Sequence, residues 1–114
     1  MYNILTRNHF ENPRCIGSFS PNMPNIITRT LGNRDTDFFV QLQLQISNDV
    51  IIAARFMACG DPYIIAIMSY LCEWVRNKKS GELEQSSVDK LAHQFELPDL
   101  KKYYANLLLG LLKI

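Results

Sequence analysis

Cysteine is scarce in this chain: Cys15, Cys59 and Cys72 cannot all pair with one another, and no Cys-x-x-Cys occurs. A disulfide framework is therefore not what holds the fold together, and the thiols point to a reducing, cytoplasmic compartment. An excess of charge of either sign is also missing. Twelve Lys plus Arg stand against eleven Asp plus Glu, a formal net charge of +1, and the basic doublets Lys78-Lys79 and Lys101-Lys102 are only pairs. That excludes a strongly electrostatic nucleic-acid binder. The longest apolar stretch, Tyr63 to Leu71, falls short of the ~18 residues of a membrane span. Arg7, His9 and Glu11 interrupt the N-terminus before a signal-peptide core could form. There is no internal repeat, no low-complexity tract, no P-loop, no dinucleotide-binding glycine pattern and no Ser/His/Asp order. Nothing points to an enzyme.

What remains is an ordinary globular balance. Hydrophobic residues make up 47% and charged residues 20% of 114 residues, enough for one domain over residues 1–114 with a real core. Tyr2 to Phe10 reads as a short helix, broken by Asn12-Pro13 and Gly17. Ile26 to Leu31 is β-branched and ends at Gly32, a strand. Phe38 to Ile46 alternates strictly: Phe38, Val40, Leu42, Leu44 and Ile46 on one face, Phe39, Gln41, Gln43 and Gln45 on the other. This predicts a core face and a glutamine face toward water. Ser47-Asn48-Asp49 turns the chain into an antiparallel partner, Val50 to Ala58.

Helices fill the second half. Asp61-Pro62 is a helix start, with Asp capping and Pro at the first helical position, and the helix is predicted to run to about Asn77. A polar connection follows over Lys78 to Gln85. Ser86 or Ser87 caps a short helix carrying Val88, Leu91, Ala92 and Phe95. Pro98-Asp99 is predicted to start the last helix with Asp99 as its cap. Its core stripe is Leu100, Tyr103, Tyr104, Leu107, Leu108, Leu111 and Leu112. Strands first and helices afterwards make an α+β domain.

Several stretches of this order are similar to one family. His9-Phe10-Glu11-Asn12-Pro13-Arg14, continued by Gly17-Ser18-Phe19, resembles an H-[YF]-x-N-P-R segment. Ala54-Arg55-Phe56 resembles an A-R-F before a ligand loop, Glu73-Trp74-Val75 matches the following helix, and Leu97-Pro98-Asp99-Leu100-Lys101 resembles an L-P-P-V-K segment. In shared order and near-identical spacing these resemble the iron–sulfur cluster scaffolds of the IscU type and the N-terminal domain of NifU. The resemblance implies a three-stranded antiparallel sheet packed by helices. It also implies a nascent cluster held by three thiolates, sulfur delivered by a cysteine desulfurase, and a specialised chaperone that grips the L-P-P-V-K segment.

The departures bear on function. At the family's first ligand position stands Asp35, followed by Thr36 and Asp37, the latter matching the family's aspartate. At the second stands Asp61. At the His-Cys pair stand Tyr103 and Tyr104. Carboxylates and phenols are hard oxygen donors, whereas iron in a sulfide cluster is held by soft thiolates. Neither oxygen group accepts sulfur from a persulfide. No cofactor is therefore expected, and an iron–sulfur cluster least of all. A divalent or ferric cation on Asp35, Asp37, Cys59 and Asp61 is the alternative for this region. Against it, Asp61 caps a helix, and Tyr103 and Tyr104 are expected to fill the vacated space, packing this end of the domain shut. Cys59 reads as a displaced ligand or persulfide acceptor, or as a small apolar residue at a strand end, and the second suits it better. Cys72 reads as packing and Cys15 as an uninvolved thiol. In the Leu97-Pro98-Asp99-Leu100-Lys101 segment, Asp99 replaces a proline, so chaperone binding is expected to be weak. Three readings follow: a non-ligating partner-binding or regulatory scaffold paralogue, a cation-binding protein, or an interaction module outside the pathway.

Overall fold

The structure, a computed structural model, describes residues 2–33, 35, 38–85 and 87–113. Its elements are α1 (Ile4–Glu11), β1 (Ile26–Gly32), β2 (Phe39–Ser47), β3 (Val50–Cys59), α2 (Pro62–Trp74), a 3-10 turn (Ser80–Gln85), α3 (Val88–Gln94), a second 3-10 turn (Asp99–Lys101) and α4 (Tyr103–Gly110). The α+β class read from the sequence is the one observed.

The three strands form one antiparallel sheet in the order β1-β2-β3. Asn48 and Asp49 make the two-residue turn between β2 and β3, both with positive φ (52° and 66°). That is the twist a tight hairpin demands, and Asn and Asp tolerate it best after glycine. At the other end of β2, Gly32 has φ 82° and an added Cβ would collide with the Phe38 carbonyl. Only glycine fits there. Val40, Leu42 and Leu44 are buried, facing Ala58, Phe56 and Ala54 of β3 in register. The opposite, glutamine face is half-buried rather than fully open to water. Residues 19–25 lie over it: the Phe19 N–H donates to Gln43 Oε1 at 2.7 Å, Gln43 Nε2 donates to Thr28 Oγ1 at 3.2 Å, and Gln45 Nε2 donates to the Pro24 carbonyl at 3.3 Å. The Arg55 guanidinium sits 5.3 Å from the Phe19 ring centroid. Gln43 and Gln45 thus hold the loop at two points.

Helix α2 is the centre of the core, with Ile64, Ala66, Ile67, Met68, Leu71 and Cys72 all buried. It stops at Trp74, earlier than the apolar pattern predicts. The Asn77 N–H donates to the Ile51 carbonyl at 2.7 Å and the Ile51 N–H to the Lys78 carbonyl at 2.9 Å. Asn77 takes φ 67°, so the chain leaves the helix to pair with the start of β3. The connection after it is not purely polar, because Leu83 is buried. Ser87 caps α3, its Oγ accepting from the Lys90 N–H at 3.2 Å, and Ser86 lies outside the described residues.

The last helix departs most from its predicted form. Asp99 makes no cap; Pro98 precedes a 3-10 turn with no side-chain cap, and Asp99 instead pairs with Lys102 at 3.0 Å. The core face of α4 is Ala105, Leu108 and Leu109, continued by Leu111 and Leu112. Leu100 is 87% exposed, Tyr103 55% and Leu107 38%. The apolar residues cover two adjacent stripes, and the tighter winding of the 3-10 turn sets which one faces inward. Of the predicted stripe, Leu108, Leu111 and Leu112 are buried and Tyr104 is half-buried, while Leu100, Tyr103 and Leu107 are left on the outside.

Candidate functional site

Between the β3–α2 junction and the start of α4 lies an open cleft of about 650 Å³. Phe38, Cys59, Gly60 and Asp61 form one wall, and Tyr103, Tyr104 and Leu107 the other, with Ile64 between. The expectation that the two tyrosines pack this end shut is not met. Tyr104 is half-buried, its ring stacked on Phe38 (6.4 Å between centroids) and tilted against Tyr103 (4.6 Å). Tyr103 takes the outer place of that stack and stays exposed. Two large rings cannot both lie under one short helix whose inward face belongs to Ala105 and Leu108.

Asp61 is engaged twice. One carboxylate oxygen accepts from the Tyr63 N–H at 2.9 Å, capping α2. The other is ion-paired with the Lys101 ammonium. Hydrogen bonding to Asp61 holds Lys101 in its charged form, raising its pKa. The phenol of Tyr104 is pushed up to about 12 by burial and by a hydrogen bond with Tyr103, so it stays protonated at neutral pH and is a poor ligand.

The sequence-selected residues divide accordingly. Asp61, Cys59, Tyr103 and Tyr104 come together at the cleft. Asp35 is exposed in the loop after β1, its N–H donating to Asn33 Oδ1 at 3.0 Å, and does not line the cleft. Asp37 lies outside the described residues. Among the described residues no group of three or more His, Cys, Asp or Glu gathers in a way that could hold a metal ion. At the cleft Asp61 is engaged by its helix cap and by Lys101, and Cys59 is the one thiol among the lining residues. In the segment from Leu97 to Lys101, Leu97 is buried, Pro98, Asp99 and Leu100 are exposed, and Lys101 turns back to Asp61.

Sequence reasoning missed two things. One is the Lys101 partner of Asp61, forty positions away in the chain, with no local signal. The other is a polar cluster around His9, which is buried and structural. Its Nδ1 lies 2.8 Å from Ser69 Oγ, and the Arg14 N–H donates to the same oxygen at 2.8 Å. The Arg14 guanidinium, which can only donate, lies 3.3 Å from Nδ1, so Nδ1 is the acceptor for it and for the Ser69 hydroxyl, and Nε2 carries the ring proton toward Glu73 at 3.9 Å. Arg14 closes the ring, 3.6 Å from Glu73. Ser69 is fully buried, so no substrate reaches it; the cluster ties the N-P-R segment to α2. A lone serine among the apolar residues of α2 was its only trace in the sequence. No helix among the described residues is long and apolar enough to cross a membrane.

Comparison with known proteins agrees with this architecture. The family model described as the NifU-like N terminal domain matches residues 1–113. The iron–sulfur cluster assembly protein IscU of Plasmodium falciparum is 38% identical over 100 residues, covering 88% of this chain but only 62% of that protein. The iron–sulfur cluster assembly scaffold protein IscU of Escherichia coli K12 is 34% identical over 101 residues, 88% of this chain and 79% of that one. The crystal structure of a nitrogen-fixing NifU-like protein (N-terminal) from Brucella abortus superposes with a TM-score of 0.68 over 97% of this chain and 85% of its own, at 16% identity. By sequence and by fold, this chain belongs to the NifU-like N-terminal domain family, to which the IscU iron–sulfur cluster assembly scaffolds are its relatives.

Proposed function

We propose that this chain works in iron–sulfur cluster assembly as a non-ligating, partner-binding or regulatory paralogue of the scaffold. It docks to a partner of the pathway, the cysteine desulfurase first, without accepting sulfur or holding a cluster. The observation that carries this reading is the state of Asp61: at a position where the family pattern has a thiolate stands a carboxylate already occupied by a helix cap and by Lys101. A thiol-free acceptor pair, Asp61 and Tyr104, has no chemistry with a persulfide. The match to the family model over residues 1–113 supports keeping the chain within the pathway. The exposed apolar side chains of Leu100, Tyr103 and Leu107 beside the cleft are compatible with docking there.

Titration of the full chain against a cysteine desulfurase of the same assembly type tests the reading. Saturable binding is expected, with no transfer of labelled persulfide sulfur onto the chain, and with competition against an intact scaffold. No binding, or sulfur carried on Cys59, overturns it.

A further inference from the structure

The two edges of the sheet are finished differently. The outer row of β3 is taken up by other parts of the chain. The Phe56 N–H donates to the Cys15 carbonyl and the Gly17 N–H to the Phe56 carbonyl, each at 2.9 Å, and Ile51 bonds Asn77 and Lys78. The other edge is β1, seven residues paired with β2 without a break in register. At its two ends the Ile46 N–H donates to the Asn25 carbonyl at 3.1 Å and the Asn33 N–H to the Phe38 carbonyl at 3.0 Å. Both bonds fall on odd-numbered positions of the first strand. The backbone groups of Ile27, Arg29 and Leu31 therefore face β2, and those of Ile26, Thr28 and Thr30 face outward. Among the described residues no backbone group bonds to that outward row. The strand has no proline and no bulge to blunt it as an edge. Its one charge is Arg29. In register Arg29 stands opposite Leu42, which is buried, and between Ile27 and Leu31, which are half-buried. A cation thus sits exposed on the core face of the sheet, at its open edge, and no carboxylate among the described residues pairs with it.

We propose that the β1 edge receives an extended segment of a partner protein as an added antiparallel strand, and that Arg29 selects a segment whose acidic residue has apolar residues two positions to either side. The outward N–H and C=O groups of Thr28 and Thr30 bond the backbone of the added strand. Arg29 then falls in a non-hydrogen-bonded pair, the kind in which opposed side chains come closest. A carboxylate opposite it completes a cross-strand ion pair. The apolar residues on either side of that carboxylate meet Leu31 and Ile27 on the same face. A second copy of this chain does not fit the edge. An antiparallel pair of β1 strands in full register sets Thr28 against Thr30, and so sets Arg29 against Arg29 on one face, where like charges repel. The arginine that rejects a copy accepts an acidic strand. No residue of β1 lines the cleft, so this docking is independent of the function proposed above.

The test titrates the full, isotope-labelled chain with the peptide acetyl-Lys-Val-Thr-Glu-Thr-Val-Lys-amide and follows the backbone amides by NMR. Saturable shifts centred on Thr28, Arg29 and Thr30 are expected, and the Thr28 and Thr30 amides should gain protection from hydrogen exchange. A peptide with Lys in place of Glu should bind more weakly, by on the order of fivefold. Arg29→Glu should invert that preference; the side chain is exposed, so the variant keeps the fold. Methylating the backbone nitrogens of the two threonines beside Glu should abolish binding, because those N–H groups face β1. No binding, binding indifferent to the sign of the central charge, or shifts on another face would overturn the proposal. So would self-association of an Arg29→Thr chain when the wild type ignores the Glu peptide, since Arg29 would then only guard the edge.

Discussion

At position 61 one carboxylate caps a helix and neutralises a lysine, and the two duties can be separated by substitution. Asn is as good an N-cap as Asp, while Ala is not. Asp61→Ala should therefore lower stability by about 0.5–2 kcal/mol, and Asp61→Asn by clearly less, read as urea midpoints on the same day and buffer. Equal losses would show that the ion pair, not the cap, is what matters at this site. His9 offers a second residue-scale check. Burial, and then the Arg14 guanidinium, depress its pKa below the ordinary value near 6.5, with Glu73 opposing them. The folded state thus binds the proton less readily than the unfolded chain. Stability is full above about pH 6.5 and is lost as the pH falls from there through the folded pKa. Protonation would turn Nδ1 from an acceptor for Ser69 and Arg14 into a donor facing both. Unfolding midpoints at pH 7.5 and 5 should differ in that sense, and His9→Gln should flatten the difference over this window. A profile unchanged by the substitution would mean the carboxylates alone set the acid response.

At the scale of elements, the strands and α2 were legible because strict alternation, an Asn-Asp turn and an Asp-Pro start each have one structural solution. The last helix was not. Its sequence offers two overlapping apolar stripes, and the winding of the preceding turn, which decides between them, has no residue signature. The pairing of Asp61 with Lys101 was hidden for a different reason, since contacts between distant segments leave no periodicity. The rotated helix changes what the tyrosines contribute. A pair filling the core would lose on the order of 2–5 kcal/mol on replacement by His and Cys; Tyr103, on the outside, should lose under about 0.5 kcal/mol as Tyr103→Ala. Tyr104→Ala, which strips a half-buried ring from Phe38, should lose about 1–3 kcal/mol. Equal effects would place both rings in the core after all. The segment ahead of the helix is also open to test. Pro98 is extended, φ −58° and ψ 152°, the conformation that a following proline requires. Asp99→Pro should therefore fold normally. A peptide carrying it should bind the specialised scaffold chaperone more tightly than the wild-type peptide, which holds an anion there. Equal binding by the two peptides would remove Asp99 as the obstacle.

For the whole molecule, the radius of gyration of 13.5 Å is that of a compact chain of this length. The core of β2, β3, α2 and α4 is complete from side chains alone. The end that corresponds to the family's ligand positions is a cleft lined by a paired carboxylate, two tyrosines and one exposed thiol. The most direct measurement is anaerobic reconstitution with ferrous iron, cysteine and a desulfurase, followed by visible absorption and circular dichroism after gel filtration. The account predicts a colourless protein with sub-stoichiometric iron, unchanged by Cys59→Ser. A stoichiometric [2Fe–2S] spectrum that is lost in the Cys59→Ser variant would contradict it and make Cys59 a ligand.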